Sequence, residues 1–164
     1  MKRESNARGA ARGAWHASLA AAASLLLGLM GANAGAAGLA DLGEVKGKLV
    51  WVDFWASWCE PCRRSFPWLN QMQARYAAQG LEVIGINLDT DKAAAQKFLH
   101  EVPAHFTLKF DPEGKLATKF EVQAMPSSFL LDASGNIVAS HLGFRPGDTA
   151  QYEAQIKKAL SGNK

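Results

Sequence analysis

Cysteine is scarce in this sequence: the 164 residues include only Cys59 and Cys62, spaced Cys-x-x-Cys. A disulfide across so short a loop restricts little of the unfolded chain's conformational entropy, so it would contribute little to stability. Structural zinc usually takes four Cys or His ligands, and the mid-chain histidines His100 and His105 flank Pro103, so they are not expected to share a helix face. The sequence favours a redox-active pair over a zinc site, and no metal ligand is assigned.

An excess of charge of one sign is absent from most of the chain as well. The formal net charge is +3, but residues 1–31 hold four basic residues and one acidic residue, and the remainder holds 14 of each sign. Proteins that bind nucleic acid usually carry an excess of basic residues on one face. No nucleic-acid partner is therefore expected.

A long apolar run occurs only near the N-terminus, over residues 17–30, after the basic stretch. It is shorter than the roughly 20 residues that span a bilayer, and residues 32–36 contain two Ala-x-Ala patterns typical of signal-peptide cleavage. The pattern predicts a cleavable signal peptide over residues 1–36, with an uncleaved N-terminal membrane anchor as the alternative. Residues 37–164 would form the exported domain, and the Ala/Gly-rich segment over residues 34–42 is expected to be flexible.

The hydrophobic pattern of the remainder alternates between strand and helix. Residues 49–55 (LVWVDFW) form a nearly continuous apolar run, which is typical of a strand buried on both faces. From residue 60, apolar residues recur at three- and four-residue steps, which is typical of a helix. The predicted strands cover residues 49–55, 81–88, 106–110, 127–132 and 137–142, and the predicted helices cover residues 60–79, 89–101, 115–120 and 148–160. The order β-α-β-α-β-α-β-β-α, without repeats, indicates a single α/β domain.

The cysteines lie where the first predicted strand gives way to the first helix. A short turn follows Trp55, and Cys59 begins the helix, whose unpaired N–H groups and positive dipole end stabilise an anion. This placement lowers the pKa of the Cys59 thiol and favours the thiolate, which is the nucleophile in disulfide exchange. Pro61 suits the first turn, where its missing N–H is no loss. Cys62 lies one turn further on, so Cys59 is predicted to attack and Cys62 to resolve the mixed disulfide.

A single charge interrupts the apolar strand at Asp53, six residues before Cys59. A buried carboxylate is unfavourable unless it is paired or protonated. Burial should therefore raise the pKa of Asp53 and make it a candidate proton acceptor for Cys62. The alternative is an aspartate at the edge of the strand, bonded to the backbone.

The segment over residues 52–62, VDFWASWCEPC, resembles the active-site segment of thioredoxins in the exported TlpA/ResA-like branch. Pro67 matches the family's helix-kinking proline, and residues 125–132, MPSSFLLD, are similar to its cis-proline segment and the following strand. The resemblance covers about residues 45–160 and implies an α/β thioredoxin fold, a single domain with a central mixed β-sheet flanked by helices. It also matches Asp53 with the buried acid of cytoplasmic thioredoxins, and it implies no cofactor.

The resemblance further implies a substrate-binding surface around the cysteines. Pro126 would be cis and face the pair, and the backbone of Met125 would hydrogen-bond an extended client segment, as in strand addition. The residues alone favour the commoner trans isomer at Pro126. Trp58, beside Cys59, is expected to add a flat apolar surface for client docking, whereas Trp55 is expected in the core.

Two positions depart from the related sequences. ResA-like proteins typically carry a glutamate three residues after the second cysteine, where this chain has Ser65, so Asp53 is expected to handle the proton instead. Glu60 replaces the commoner glycine between the cysteines. Its charge opposes a thiolate at Cys59 and, with the neighbouring Pro61, would tune the pair towards the reducing end. The alternative for Glu60 is a solvated side chain with little effect.

The implied activity is that of a periplasmic thiol–disulfide oxidoreductase that reduces disulfides in client proteins. Family clients include copper-site assembly proteins and apocytochromes c of cytochrome c biogenesis, although Ser127 and Ser128 after Pro126 differ from the Glu-Thr typical of the cytochrome subgroup. A membrane electron donor of the DsbD/CcdA type would recharge the pair. Two alternatives remain: a disulfide-donating oxidase on the same fold, and a chaperone that holds copper(I) through both thiolates. The residues alone support dithiol–disulfide exchange without fixing its direction.

Overall fold

The computed structural model describes residues 38–47 and 49–162, so the predicted signal peptide over residues 1–36 lies outside the described residues. The strands are β1 (Leu49–Trp55), β2 (Leu81–Asn87), β3 (Thr107–Phe110), β4 (Ser127–Leu131) and β5 (Ile137–Leu142). The α-helices are α1 (Glu60–Tyr76), α2 (Lys92–Glu101), α3 (Lys115–Lys119) and α4 (Thr149–Gly162). Short 3₁₀ helices cover Leu39–Leu42, Ala77–Gln79 and Pro146–Asp148. The order of elements confirms the order predicted from the hydrophobic pattern.

The five strands form one mixed sheet in the order β3-β2-β1-β4-β5. β1 pairs in parallel with β2, and β2 with β3, whereas β4 is antiparallel to both β1 and β5. β1 is therefore central and hydrogen-bonded on both sides, and all seven of its residues are buried. This arrangement confirms the predicted α/β thioredoxin fold with a central mixed sheet.

The two faces of the sheet are defined by the alternation of side chains along β1. Leu49, Trp51 and Trp55 pack in one cluster with both cysteines and with side chains from α1, α2 and α4; we call this side the cysteine face. The even-numbered residues 50–54 pack in a second cluster with Phe120, which follows α3; we call this side the opposite face. The core thus has two layers, and β1 belongs to both.

The ends of α1 have local causes in the sequence. α1 begins directly after Cys59, with Pro61 in its first turn, where a missing N–H leaves no helical hydrogen bond unmade. The helix continues past Pro67 and passes into the 3₁₀ turn Ala77–Gln79. Gly80 then takes a left-handed conformation, with φ of 102°, and leads the chain into β2.

Two local predictions are corrected by the structure. The segment over residues 34–42 was expected to be flexible, but its last four residues form the 3₁₀ helix Leu39–Leu42, and Leu42 is buried in the cluster of the opposite face. Lys119, in α3, also pairs with Asp41 of this turn. The predicted third strand begins at Thr107, one residue later than expected. Among the described helices, none is both long and apolar enough to cross a membrane.

Candidate active site

Both cysteines lie beyond the carboxyl end of β1, where the chain turns into α1. The Cys59 N–H donates to the carbonyl of Ala56 at 3.1 Å, and the Cys62 N–H donates to the carbonyl of Cys59 at 3.1 Å. A tight turn therefore leads directly into the helix. The two sulfurs form a disulfide, and their Cα atoms are 5.3 Å apart. The Cys-x-x-Cys spacing thus brings both sulfurs to the N-terminus of α1.

The two cysteines differ in accessibility. Cys59 is the N-cap of α1 and is 4% exposed, whereas Cys62 lies within the first turn and is fully buried. Unpaired N–H groups at the start of a 17-residue helix favour negative charge on the sulfur beside them. The geometry therefore gives Cys59 the less enclosed position at the helix N-terminus and Cys62 the fully enclosed one.

Asp53 lies in the middle of β1 and is only 1% exposed. Its position alternates with Trp51 and Trp55, so its side chain points to the cysteine face. Burial raises the pKa of Asp53 to about 7, although a 2.6 Å hydrogen bond from Ser128 Oγ to Asp53 Oδ1 opposes the rise. Asp53 Oδ2 has no hydrogen-bond partner among the described residues. The carboxyl can therefore bind or release a proton near neutral pH.

Aromatic side chains surround this part of the cysteine face. Trp55 packs at 4.8 Å between ring centroids against Phe98 and at 5.0 Å against Phe66, which confirms its expected place in the core. Trp51 meets the edge of Trp68 at 5.1 Å and stacks on His141 at 5.5 Å. These rings exclude water from the middle of β1, and a carboxylate there loses its hydration. The raised pKa of Asp53 follows from this environment, and Asp53 is not the strand-edge aspartate of the alternative interpretation.

The turn before Cys59 is held by a buried carboxylate that the sequence analysis did not single out. The Ser57 N–H donates to Asp89 Oδ2 at 2.8 Å, and Ser57 Oγ donates to Asp89 Oδ1 at 2.8 Å. Asn87 Nδ2 also donates to Asp89 Oδ2, at 2.7 Å. Asp89 thus fixes the chain two residues before the first cysteine. A polar residue at the end of an apolar strand, Asn87, and an aspartate shortly after it, Asp89, were the available sequence signal.

Apolar side chains are exposed around the cysteines. Trp58 is 73% exposed, while the half-buried Met125 packs against the cluster that contains both sulfurs. The Met125–Pro126 peptide bond is cis, as the resemblance implies, and the carbonyl of Pro126 accepts the Gly143 N–H at 2.7 Å. Leu142, at the end of β5, pairs with Ser127 of β4 and is 63% exposed; the sequence did not indicate this, because an apolar residue in a predicted strand normally indicates core. The site therefore has an apolar rim.

The charged residues on the first turn of α1 lie at the surface. Glu60 is exposed and pairs with Arg64, one turn later, at 3.2 Å. Arg63 pairs with Glu101 of α2 and lies over the ring of Phe98, 5.0 Å from its centroid. An exposed pair of this kind contributes little energy. Although Glu60 follows Cys59 directly in the sequence, its side chain lies in solvent and its charge is paired with that of Arg64.

A metal site was not predicted, and the described residues contain no group of three or more His, Cys, Asp or Glu side chains arranged to hold an ion. His100 and His105, the histidines considered for zinc, are both exposed. The side chains of the site supply two sulfurs that can interconvert between dithiol and disulfide, and a buried carboxyl that titrates near neutral pH.

A protein-family model and several known proteins match most of the chain. The family model described as Redoxin matches residues 33–156. The thiol-disulfide oxidoreductase ResA of Bacillus thuringiensis (strain Al Hakam) is 30% identical over 118 residues, which cover 72% of this chain and 67% of that protein.

Solved structures agree with these relatives. A structure from Chlorobium tepidum, described as a thiol:disulfide interchange protein DsbE, is 52% identical with a TM-score of 0.68, covering 70% of this chain and 82% of its own. A thioredoxin family thiol:disulfide interchange protein from Chlorobium tepidum TLS is 30% identical with a TM-score of 0.60, covering 70% and 81%. The chain therefore belongs to the Redoxin family and is a thiol–disulfide oxidoreductase of the ResA and DsbE type, within the thioredoxin superfamily, that acts on disulfides in proteins.

Proposed function

We propose that this protein reduces disulfides in client proteins of the periplasm, with Cys59 as the attacking sulfur, Cys62 as the resolving sulfur and Asp53 as the proton acceptor. The observation that carries the proposal is that three groups lie together: a slightly exposed cysteine at the N-terminus of α1, a fully buried cysteine in its first turn, and a buried carboxyl on the same face of the sheet.

The first step is attack on the client. In the reduced protein, the Cys59 thiolate displaces one sulfur of the client disulfide, so a Cys59–client bond forms and the second client sulfur leaves as a thiolate. The helix N-terminus favours the thiolate form of Cys59. Because Cys62 is fully buried, it is shielded from the client during this step.

The second step releases the client. Cys62 gives its proton to Asp53 and attacks the Cys59 sulfur, which forms the intramolecular disulfide seen in the structure and expels the client sulfur. Two electrons have then passed to the client. A carboxyl with a pKa of about 7 suits the proton transfer, because a general base works best when its pKa lies near the working pH.

Client binding would use the apolar rim around the cysteines. The exposed ring of Trp58 offers a flat surface beside Cys59, and Met125, which precedes the cis Pro126, packs against the cluster that contains both sulfurs. An extended client segment could pair with the backbone of Met125 while its disulfide reaches Cys59. Such backbone pairing would tolerate clients of different sequence.

The direction of electron flow and the location of the protein are parts of this proposal. The charge of Glu60 disfavours a thiolate at Cys59 and so favours transfer of electrons away from the pair, although its exposed pairing with Arg64 keeps this effect small. A membrane donor of the DsbD/CcdA type would restore the dithiol. The signal-peptide pattern over residues 1–36 supports export, in a cleaved or membrane-anchored form. Apocytochromes c and copper-site assembly proteins are the candidate clients.

Trapping in the native host tests the assignment of the two sulfurs. A Cys62→Ala variant should accumulate mixed disulfides through Cys59, and identification of the trapped proteins would name the clients. The matched control is Cys59→Ala, which should trap none. Client adducts that form with Cys59→Ala but not with Cys62→Ala would reverse the assignment.

The reduction potential tests the direction. A reductase should have a potential near that of thioredoxin, about −270 mV, whereas a value near that of DsbA, about −120 mV, would identify a disulfide-donating oxidase. Stoichiometric copper(I) binding by the reduced protein, without turnover of a disulfide substrate, would instead identify a copper chaperone.

A further inference from the structure

Ser128 stands directly opposite the buried carboxyl. β4 runs antiparallel to β1, and their register pairs Ser128 with Asp53, so both side chains point to the same face of the sheet. Ser128 Oγ donates to Asp53 Oδ1 at 2.6 Å, and both residues are buried. The hydrogen bond is therefore fixed by strand pairing rather than by a mobile loop.

No other described side chain donates a hydrogen bond to the Asp53 carboxyl. On the other side of β1, Asp53 pairs with Gly85, which has no side chain; a Cβ there would lie 2.9 Å from the ring of Phe106. No Lys or Arg belongs to the buried residues of the described chain, so no buried cation compensates the carboxylate. Among the described side chains, Ser128 is thus the one that donates a hydrogen bond to Asp53.

The two carboxyl oxygens of Asp53 consequently differ. Oδ1 accepts the Ser128 hydrogen bond, while Oδ2 is buried and has no partner among the described residues. We propose that Ser128 is a positioning residue for the proton transfer: its hydroxyl binds Oδ1 and holds the carboxyl in one orientation, so that Oδ2 is the atom that accepts the proton of Cys62. This inference rests on the proposed role of Asp53 and adds the group that orients it.

The step is balanced at the level of single atoms. The Cys62 S–H bond breaks, and its proton passes to Asp53 Oδ2. The electron pair left on Cys62 forms the bond to the Cys59 sulfur, and the Cys59–client bond breaks with its electron pair on the client sulfur. The Ser128 proton stays on its hydroxyl throughout, because it stabilises the charged form of Asp53 before the transfer and is not itself transferred.

The cysteine face holds other titratable groups whose protonation changes with pH. They are Cys62 and Tyr76 from α1, His141 from β5 and Tyr152 from α4. α2 contributes Ala95 and Phe98, which do not titrate. His141 pairs with Ser128 in the sheet, and burial lowers its pKa, so it is largely neutral above pH 7. A midpoint near pH 7 that moves with residue 128 therefore reports on Asp53.

The test compares Ser128→Ala with Ser128→Thr, which retains a hydroxyl on the same strand. The preformed mixed disulfide on Cys59 is mixed with buffers from pH 6 to pH 9, and the rate of client release is followed. Loss of a hydrogen bond to a charged group should raise the midpoint of Ser128→Ala by about one to two pH units and slow release at pH 7 about fivefold or more, with recovery at higher pH. Ser128→Thr should keep the wild-type midpoint.

The matched control is Ser127→Ala. Ser127 is the adjacent buried serine, but its hydroxyl donates to the carbonyl of Ala124 at 2.6 Å and lies on the other face of β4. Its removal should leave the midpoint unchanged. A ¹³C NMR titration of the Asp53 carboxyl in the oxidised variants gives the same midpoint without turnover.

The outcomes separate the two proposals. If the Ser128→Ala midpoint coincides with that of wild type by both methods, the inference about Ser128 is wrong and the role of Asp53 stands. If Asp53→Asn releases the client with the wild-type pH profile, the proposed role of Asp53 itself is wrong. Should Ser128→Ala fail to fold, Ser128→Gly takes its place, with the same expected shift.

Discussion

Neighbouring residues on β1 point to opposite faces of the sheet, and the two faces bury different kinds of side chain. Phe54, on the opposite face, lies among aromatic rings, 5.3 Å from Phe120 and 6.0 Å from Phe129 between centroids. Asp53, on the cysteine face, lies between Trp51 and Trp55 along the strand. The three buried side-chain atoms without a partner among the described residues all belong to this face: Trp51 Nε1, Asp53 Oδ2 and Trp55 Nε1.

The difference shows where the fold accepts unfavourable burial. An apolar side chain at position 53 would be better suited to stability, since the Asp53 carboxyl loses hydration and gains one hydrogen bond. This unfavourable burial falls on the face that holds the disulfide, while the cluster of the opposite face consists of apolar side chains. The comparison therefore separates residues that hold the sheet together from residues that serve the exchange reaction.

The largest effect is expected on the opposite face. Phe54→Ala removes a fully buried ring and should lower the free energy of unfolding by about 3–5 kcal/mol, because it leaves a cavity among aromatic neighbours. The loss should be the same at pH 5 and pH 8. Denaturant unfolding at both pH values measures it. A loss that changes markedly with pH would show that the two faces are not independent.

Asp53→Asn should alter stability in a pH-dependent way. The pKa of Asp53 rises from 3.8 to about 7 on folding, so the native state binds more protons than the unfolded state between these values. The contribution of Asp53 to stability is therefore greatest below pH 4 and falls by about 4 kcal/mol as the pH rises to 7, with no further loss from this group above it.

The asparagine variant lacks this titration. The difference in unfolding free energy between variant and wild type should shift by the same amount in favour of the variant from pH 4 to pH 8. Denaturant unfolding across this range provides the measurement. Parallel curves for the two proteins would mean that Asp53 titrates normally and that the cysteine face carries no such cost.

A smaller effect is expected at the turn before Cys59. Asp89→Asn replaces one acceptor oxygen with a donor facing the Ser57 or Asn87 N–H, and should lower stability by about 1–2 kcal/mol. Hydrogen exchange at the Ser57 amide should accelerate. Asp91→Ala is the matched control, because Asp91 caps α2 through the Ala93 N–H and does not contact the turn. Equal acceleration in both variants would argue against a specific role of Asp89.

The smallest effect is expected at Glu60. Glu60→Gln removes a charge that disfavours the Cys59 thiolate, so the reduction potential should rise, but by less than about 20 mV, since the pair with Arg64 is exposed. Glu113→Gln is the control, since Glu113 forms an exposed pair with Lys115 away from the site. Equilibration with glutathione buffers gives both potentials. A rise of 60 mV or more would make Glu60 a principal determinant of the potential.

The sequence predicts most of the fold because strand and helix periods are strong in this chain. The apolar run over residues 49–55 predicts a central strand, and the structure places all seven residues in the core. The Ala/Gly-rich segment was wrongly predicted to be flexible because composition says little about a short turn whose two leucines pack against the core, Leu42 fully and Leu39 in part. Small residues lower local order only where nothing packs against them.

The candidate site is predicted less completely. The cysteines and Asp53 stand out because a Cys-x-x-Cys spacing and a charge within an apolar strand are unusual patterns that can be recognised within a few residues of sequence. Ser128 and Asp89 do not stand out, since serine and aspartate are common near strand ends. Their importance depends on strand register and on a hydrogen bond between segments about 30 residues apart or more. Such long-range pairing has no signature in a single sequence.

The pH dependence of client release is the most direct test of the proposed proton transfer from Cys62 to Asp53. A mixed disulfide is formed on Cys59, and release by Cys62 is timed from pH 6 to pH 9 in wild type and Asp53→Asn. The wild-type rate should rise through a midpoint near pH 7. The variant should be slower at neutral pH by about 10²-fold and should approach wild type only where the Cys62 thiolate forms unaided. If the pH–rate profiles of wild type and Asp53→Asn superimpose over the whole range, Asp53 is not the proton acceptor.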